Sequence, residues 1–294
     1  MKKALVVGSL NMDLVTKVQS TPKIGETVAG NGLIVNPGGK GANQAVALGK
    51  LGVDVNMIGC VGKDEYGFKL KENLQAMNVK DSTFVIEDQP SGIAFIMVNA
   101  SADNSIVVIE GANGSLKPDM VKSEWFQDIS FLVTQQEIPI ETLKVVMQMA
   151  KEHNLMIIHN PAPLVTGTEL LLKYVDLLVL NETEFEKLAG YPYQSEDDLK
   201  RGIQALGVNK ILLTLGSIGA IYHENDFAVF VPAKKVNAID TTAAGDSYIA
   251  GIVHHLAMDK DIETAMQFAT KVAAHTVTKM GAQASLPYIH EIEE

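Results

Sequence analysis

Leu155-Met156-Ile157-Ile158-His159, then a short helix expected over Thr168–Tyr174, then Leu177-Leu178-Val179-Leu180-Asn181-Glu182-Thr183-Glu184 is the stretch that decides the fold. Two apolar runs of four or five residues are too short for helices and too uniformly apolar to show a face to water. They read as strands covered on both sides. Outward from them the pattern repeats. Upstream lie a strand at Ile129–Val133 and a helix at Ile140–Lys151; downstream lie helices within Glu182–Ala189 and Glu196–Leu206 and a strand at Lys210–Leu215. Strands alternating with helices of this length predict right-handed βαβ units. The fold class is therefore α/β: a mostly parallel central sheet between two helical layers.

The flanks are less regular. Lys3–Gly8 and Met57–Val61 read as strands, and Tyr66, Leu70, Leu74 and Met77 repeat at helical spacing. Leu14–Asn36 has no helical period and is broken by Pro22, Gly25, Gly30 and Gly32. Gly92–Val98 and Ser105–Glu110 pair as a hairpin across a polar turn from Ser101 to Asn104. These pieces are expected to form a small sheet standing off the main layer. After Lys210–Leu215, Ala220–Glu224 and Ala228–Val231 read as a late hairpin. Two helices close the chain, one opening at Gly245 and one from about Ile262 to Lys279.

The sequence has 294 residues, 47% of them hydrophobic, enough for one sizeable domain over 1–294. A formal charge of −11 with no Lys/Arg block argues against nucleic-acid or anionic-membrane partners. Cys60 is the only cysteine, so an intrachain disulfide is excluded and a reducing, cytoplasmic setting is expected. The apolar start breaks at Asn11 and Asp13, too early for a signal peptide, and no apolar stretch reaches membrane-spanning length.

Chemistry concentrates in two glycine-containing stretches. Ile239-Asp240-Thr241-Thr242-Ala243-Ala244-Gly245-Asp246-Ser247 reads as a turn entering a buried helix. The N–H groups and dipole of such a helix start favour an anion, and Asp246 is placed to take a proton from a hydroxyl attacking a phosphate. The plainer alternative is that Asp240 or Asp246 only caps the helix. Asn36-Pro37-Gly38-Gly39-Lys40-Gly41-Ala42-Asn43-Gln44-Ala45 is a glycine-rich turn before another helix, and matches neither a P-loop nor a dinucleotide fingerprint. Polar residues also follow the strands: Asn11 and Asp13 after the first, Gln136-Glu137 after Ile129–Val133, Asn181 and Glu184 after Leu177–Leu180, and Thr214–Gly219 after Lys210–Leu213. Asn181 and Glu184 read equally as a capping box. Together these residues line one edge of the sheet, where open α/β sheets hold ligands.

The sequence resembles the ribokinase (phosphofructokinase-B type) carbohydrate kinases along its full length. The resemblance rests on Gly8–Asp13, Asn36–Ala45, Asp240–Asp246 and the Asn181-x-x-Glu184 motif. It implies phosphorylation by ATP of a sugar, D-ribose at O5, with deoxyribose, fructose, adenosine or pseudouridine as alternatives. Asn11, Asp13, Gly39, Lys40, Asn43 and Glu137 are implied to hold the sugar, and Asp246 to act as base above an anion hole of Ala243, Ala244, Gly245 and Asp246. Asn181 and the loop of Thr214, Gly216, Ser217 and Gly219 are implied to meet the nucleotide, with Glu184 organising hydrated Mg²⁺ and Thr270 lying near the adenine. Asp240, Thr242, Thr276, Lys279, Gly281 and Ser285 match positions that bind a monovalent cation, K⁺, largely through carbonyls. Residues of about 12–36 and 91–110 are implied to form a lid that pairs two subunits. Much of the family has Gly-Ala-Gly-Asp where Ala243-Ala244-Gly245-Asp246 stands here. An NAD enzyme and a sugar sensor without chemistry are the rival readings; the missing glycine fingerprint and the intact Gly245-Asp246 oppose them.

Overall fold

The structure is a computed structural model and describes residues 1–101 and 104–293; Ala102 and Asp103 of the expected hairpin turn lie outside the described residues. In chain order the strands and helices are β1 (Ala4–Val7), β2 (Asn11–Val18), β3 (Gly30–Gly38), α1 (Lys40–Lys50), β4 (Val55–Ile58), β5 (Cys60–Gly62), α2 (Glu65–Ala76), β6 (Val79–Asp81), β7 (Phe84–Ile86), β8 (Gly92–Val98) and β9 (Asn104–Ile109). They continue with β10 (Phe131–Thr134), α3 (Ile140–Glu152), β11 (Met156–His159), β12 (Leu177–Asn181), α4 (Glu182–Ala189), α5 (Glu196–Leu206), β13 (Lys210–Thr214), β14 (Gly219–Glu224), β15 (Phe227–Pro232), α6 (Ala244–Ala257), α7 (Ile262–Thr276) and α8 (His290–Glu293).

Among the described residues nine strands form the main sheet in the order β15-β14-β13-β12-β11-β10-β1-β4-β6. All neighbours from β13 to β6 run parallel, while β14 and β15 are antiparallel. The apolar runs are continuous because alternate side chains enter two different cores. Val6, Val133, Ile158, Val179 and Leu212 pack with α1, α6 and α7 residues such as Val46, Ile252 and Val272. Leu5, Leu132, Ile157, Leu178 and Leu213 pack on the other face with α3, α4 and α5 residues such as Val146, Phe185 and Leu199. Each such side chain is fully buried and contributes about 1.5–3 kcal/mol.

The strand order reverses between β1 and β10: the chain winds one way through β4 and β6 and the other way through β11, β12 and β13. In open α/β sheets the cleft forms at that switch point, beyond the carboxyl ends of the strands. Residues 8–13 and 135–137 emerge there side by side. Asn181 and Thr214 are register partners at the ends of β12 and β13, which fixes the far wall of the cleft.

The small sheet has the order β3-β2-β8-β9, with β2 and β8 parallel and both outer pairs antiparallel. Asn11 and Asp13, which follow β1 as expected, also lie within β2 of the small sheet. The sequence reading differs in several places. The stretch Met57–Val61 is two strands parted at Gly59, because β5 leaves the main sheet to pair with β7. Thr168–Tyr174 forms two separate 3₁₀ turns, and α7 stops at Thr276, leaving Lys279 in a loop. The three-residue strands β6 and β7 and the short α8 carry too few residues for a period to show.

Candidate active site

Asp246 stands in the first turn of α6, and its carboxylate is held at both oxygens. Oδ2 accepts from the Asn43 amide at 3.0 Å and Oδ1 from the Gln44 amide at 2.9 Å. The two donors are adjacent residues near the start of α1, so the packing of α1 beside α6 aims the base. Gly39 enters α1 with φ 87°, and a Cβ there would lie 2.7 Å from the Asn11 backbone nitrogen, so glycine alone lets this turn close on β2.

The N–H groups at the start of α6 face the cleft. Gly245 and Asp246 have no acceptor inside the helix, as at any helix start. The Ala244 N–H is already shared with the Thr241 carbonyl at 3.2 Å, so the four-residue anion hole read from the sequence is narrower than expected. Ala243 adopts φ 60°, the left-handed region, at a strain of roughly 1 kcal/mol for a residue with a Cβ. A glycine would relieve it, which gives the Ala243 departure from the family pattern a physical meaning. A Cβ built on Gly245 would meet no atom within 4 Å. The packing of the polypeptide itself leaves room for a side chain there.

This turn opens on a cavity of about 200 Å³. Lys40, Asn181, Glu184, Thr214, Thr241 and the turn Ala243–Asp246 line it, together with Asn160. Asn181 and Glu184 do form the capping box: Asn181 Oδ1 accepts from the Glu184 N–H at 2.8 Å, and Glu184 Oε2 from the Asn181 N–H at 2.9 Å. The capping and ligand readings are thus compatible, since both residues also face the cavity. Asn160 was not singled out from the sequence. It follows β11 and donates to the Val179 carbonyl at 3.0 Å and to Glu184 at 3.4 Å. Its position after the decisive strand Leu155–His159 was the available signal. Gly216, Ser217, Gly219 and Thr270 do not line this cavity; Gly216 and Ser217 lie in the turn between β13 and β14, Gly219 opens β14, and Thr270 is half-buried on α7.

On the other side of Asp246 lies a second polar cluster. Glu137 Oε2 accepts from the Lys40 N–H at 3.1 Å, from the Ser9 hydroxyl, and from Asn11 Nδ2 at 3.5 Å. Asn113, also missed in the sequence, clasps Asn11: its amide donates to Asn11 Oδ1 at 2.7 Å and its oxygen accepts from the Leu10 N–H at 2.9 Å. Burial first, then the charges of Glu137 and Asp246, together push the Asp13 carboxyl up to about 7. Burial opposes the charge on Lys40, but Asp246, Glu137 and Glu184 together hold its ammonium above the usual lysine range. Lys40 therefore faces the charges of three carboxylates.

The loop residues form a third group behind the anion turn. Asp240 Oδ1 accepts from the Thr242 N–H and hydroxyl at 2.9 and 2.6 Å, and Oδ2 from the Gly281 N–H at 2.9 Å. Burial disfavours that carboxylate, yet these donors hold it below the ordinary aspartate range. The hydroxyls of Thr276 and Ser285 donate to the Val272 and Ala282 carbonyls, and the Lys279 ammonium pairs with Glu291 at 2.9 Å. The Asp240–Gly281 hydrogen bond ties the loop before α6 to the loop after α7. No group of three or more His, Cys, Asp or Glu side chains able to hold a metal occurs among the described residues.

A carboxylate at a helix N-terminus, a lysine beside it and a polar cleft at the open end of a parallel sheet define an α/β enzyme of the small-molecule kinase class. The chain belongs to the pfkB family of carbohydrate kinases, whose profile matches residues 1–289. It is 38% identical over 297 residues to a ribokinase of Bacillus subtilis, covering 100% of this chain and 99% of that one. It is also 38% identical over 300 residues to a deoxyribokinase of Salmonella typhi, covering 98% and 97%. Among solved structures, the ribokinase of Arabidopsis thaliana complexed with ribose and ATP superposes with a TM-score of 0.91 at 28% identity, covering 100% of this chain and 98% of that one. The α/β fold with a large, mostly parallel sheet and a small sheet is therefore the ribokinase-like fold. No helix among the described residues is long and apolar enough to cross a membrane.

Proposed function

We propose that the chain transfers the γ-phosphoryl group of MgATP to O5 of D-ribose. The observation that carries this reading is the Asp246 carboxylate, aimed by two amides and set between the polar cluster of Asn11, Asp13, Lys40, Asn43 and Glu137 and the cavity lined by Asn181, Glu184 and Thr214. The first cluster suits a polyol, because every buried hydroxyl needs a partner. Gly39 brings backbone close to the same space. Asp246 takes the proton of the attacking hydroxyl, and the N–H groups of Gly245 and Asp246, with that of Ala243, hold the transferring group. Lys40 balances the charge. Asn181, Thr214 and the turn of Gly216, Ser217 and Gly219 hold the nucleotide; Thr270 is proposed to flank its base. Glu184, steadied by Asn160, holds hydrated Mg²⁺, whose chemistry is to neutralise the nucleotide phosphates. The carbonyls around Asp240, Thr242, Thr276, Lys279, Gly281 and Ser285 suit K⁺, which would stiffen the loop leading into the anion turn without touching substrate.

A second reading, transfer to 2-deoxyribose, is favoured by the equal identity of the deoxyribokinase relative. The deciding measurement is kcat/KM with MgATP for ribose, 2-deoxyribose, fructose, adenosine and pseudouridine. Ribose is expected to lead 2-deoxyribose by about 5–150-fold, the worth of one buried group left unpaired. Any other acceptor ahead of ribose by tenfold would leave only the kinase class standing. Repeating the ribose assay in K⁺ and in a bulky organic cation at equal ionic strength tests the cation; equal rates would remove it.

The small sheet is proposed as a lid that also pairs two subunits. Leu33, Ile34 and Phe95 are exposed, as are all four residues Ile106–Ile109 of the edge strand β9, whereas Val28, Ile96 and Val98 are half-buried. An apolar face continuous with an unpaired edge invites association. Light scattering at micromolar concentration is expected to give twice the chain mass, and Ile106→Lys to shift it towards the monomer. A wild-type chain that stays monomeric would overturn the pairing.

A further inference from the structure

We infer that Gln44 is a positioning residue for Asp246, held in the single serviceable orientation by Gln135. The inference rests on the kinase reading above. Both glutamines are fully buried at the switch point of the sheet. An ionised carboxylate only accepts hydrogen bonds, so Gln44 must turn its Nε2 to Asp246 Oδ1, which it meets at 2.9 Å. Its own oxygen then faces Gln135, whose Nε2 donates to it at 2.5 Å. The polarity of the chain is dictated outward from the base: each amide presents a donor towards Asp246 and an acceptor away from it.

The far end shows what the arrangement is for. Gln135 Oε1 and Asn43 Oδ1 are buried with no partner. A core built for stability alone would pair those acceptors or replace the amides with apolar groups. Room for Gln135 comes from Gly8, where a Cβ would lie 2.1 Å from Gln135 Oε1 and 2.9 Å from the Gly41 Cα. Asn43 fixes one carboxylate oxygen and the Gln44–Gln135 pair the other, so the carboxylate cannot rotate about its Cβ–Cγ bond. The plane of the carboxylate is then set, which a base within hydrogen-bond reach of its proton requires. Losing that alignment lowers the rate without removing any group that binds substrate.

The test is a double-mutant cycle on the full chain. Gln44→Leu should lower kcat by 10- to 100-fold while sugar and nucleotide KM stay within threefold. Introduced into Asp246→Asn, it should change the residual rate by less than threefold, because the partner it acts through is gone. Gln135→Leu, should Gln44→Leu fold poorly, is expected to lose 3- to 10-fold in kcat with the same suppression. An unchanged kcat in both single variants overturns the relay and leaves the kinase reading intact. An equal loss in both backgrounds overturns it in favour of a packing role. A wild-type chain without turnover on any sugar removes the kinase reading and the relay with it.

Discussion

Replacing Asp246 with asparagine is expected to lower kcat by roughly 10²–10⁴-fold, the usual worth of a general base, with nucleotide affinity unchanged within a few-fold. The substitution is close to isosteric. One oxygen remains to accept from Asn43 or Gln44, while the new amide hydrogens face whichever donor is left. The fold should survive that mismatch, because α6 is anchored by Ile249, Ile252 and Val253, all buried in the core it shares with α1 and α7. What is lost is the acceptor for the substrate proton. The anion turn stays, so a residual rate above the uncatalysed reaction is expected from positioning and charge stabilisation. Steady-state kinetics with a calorimetric measure of nucleotide binding separates the two effects. Turnover near half that of the wild type would take Asp246 out of the mechanism.

The main sheet was legible in the sequence wherever a run is buried on both faces. β10, β11, β12 and β13 each declare themselves by an unbroken apolar run: Phe131–Val133, Met156–Ile158, Leu177–Leu180 and Ile211–Leu213. Strand order was not legible, because parallel neighbours are chosen by long-range packing and leave no local pattern. The consequence was felt at the site. Glu137 and Asn11 both read as strand-end residues, but only the β1–β10 junction brings them into one cluster. Lys40 and Asn43 entered through the family resemblance and Asp246 through its place in an anion-favouring turn; the structure brings the three together. Their supports were not legible. Asn113, Asn160, Gln44 and Gln135 are ordinary amides in sequence, and their meaning lies in the atoms they meet. Thr270 shows the reverse case, a residue named by resemblance that lies apart from the cavity.

Asp13→Asn is expected to weaken sugar binding by at least about 30-fold, the loss of charge-assisted hydrogen bonds worth roughly 2 kcal/mol or more. It should also stabilise the free protein above neutral pH. The two effects have one origin. Burial first, then the charges of Glu137 and Asp246, raise the Asp13 carboxyl from 3.8 to about 7. A group raised on folding favours the native state while it is protonated. That advantage is complete below 3.8, the unfolded value, and is lost as pH rises to about 7. Above that, the folded chain carries a buried carboxylate that the unfolded chain would hydrate freely, at an expense on the order of 2–4 kcal/mol. Asparagine has no such charge, so the variant should melt about 5 °C or more above the wild type at pH 8, with the gap closing towards pH 4. Ribose would supply what the free site lacks, hydroxyl donors for that carboxylate. Binding to the wild type should therefore tighten between pH 6 and pH 8 and release close to one proton at pH 6, which titration calorimetry in buffers of different ionisation enthalpy reads directly. A variant that melts lower than the wild type at pH 8, or sugar binding that releases no proton at pH 6, would show that Asp13 is already ionised in the free protein and that the site is preformed rather than completed by its ligand.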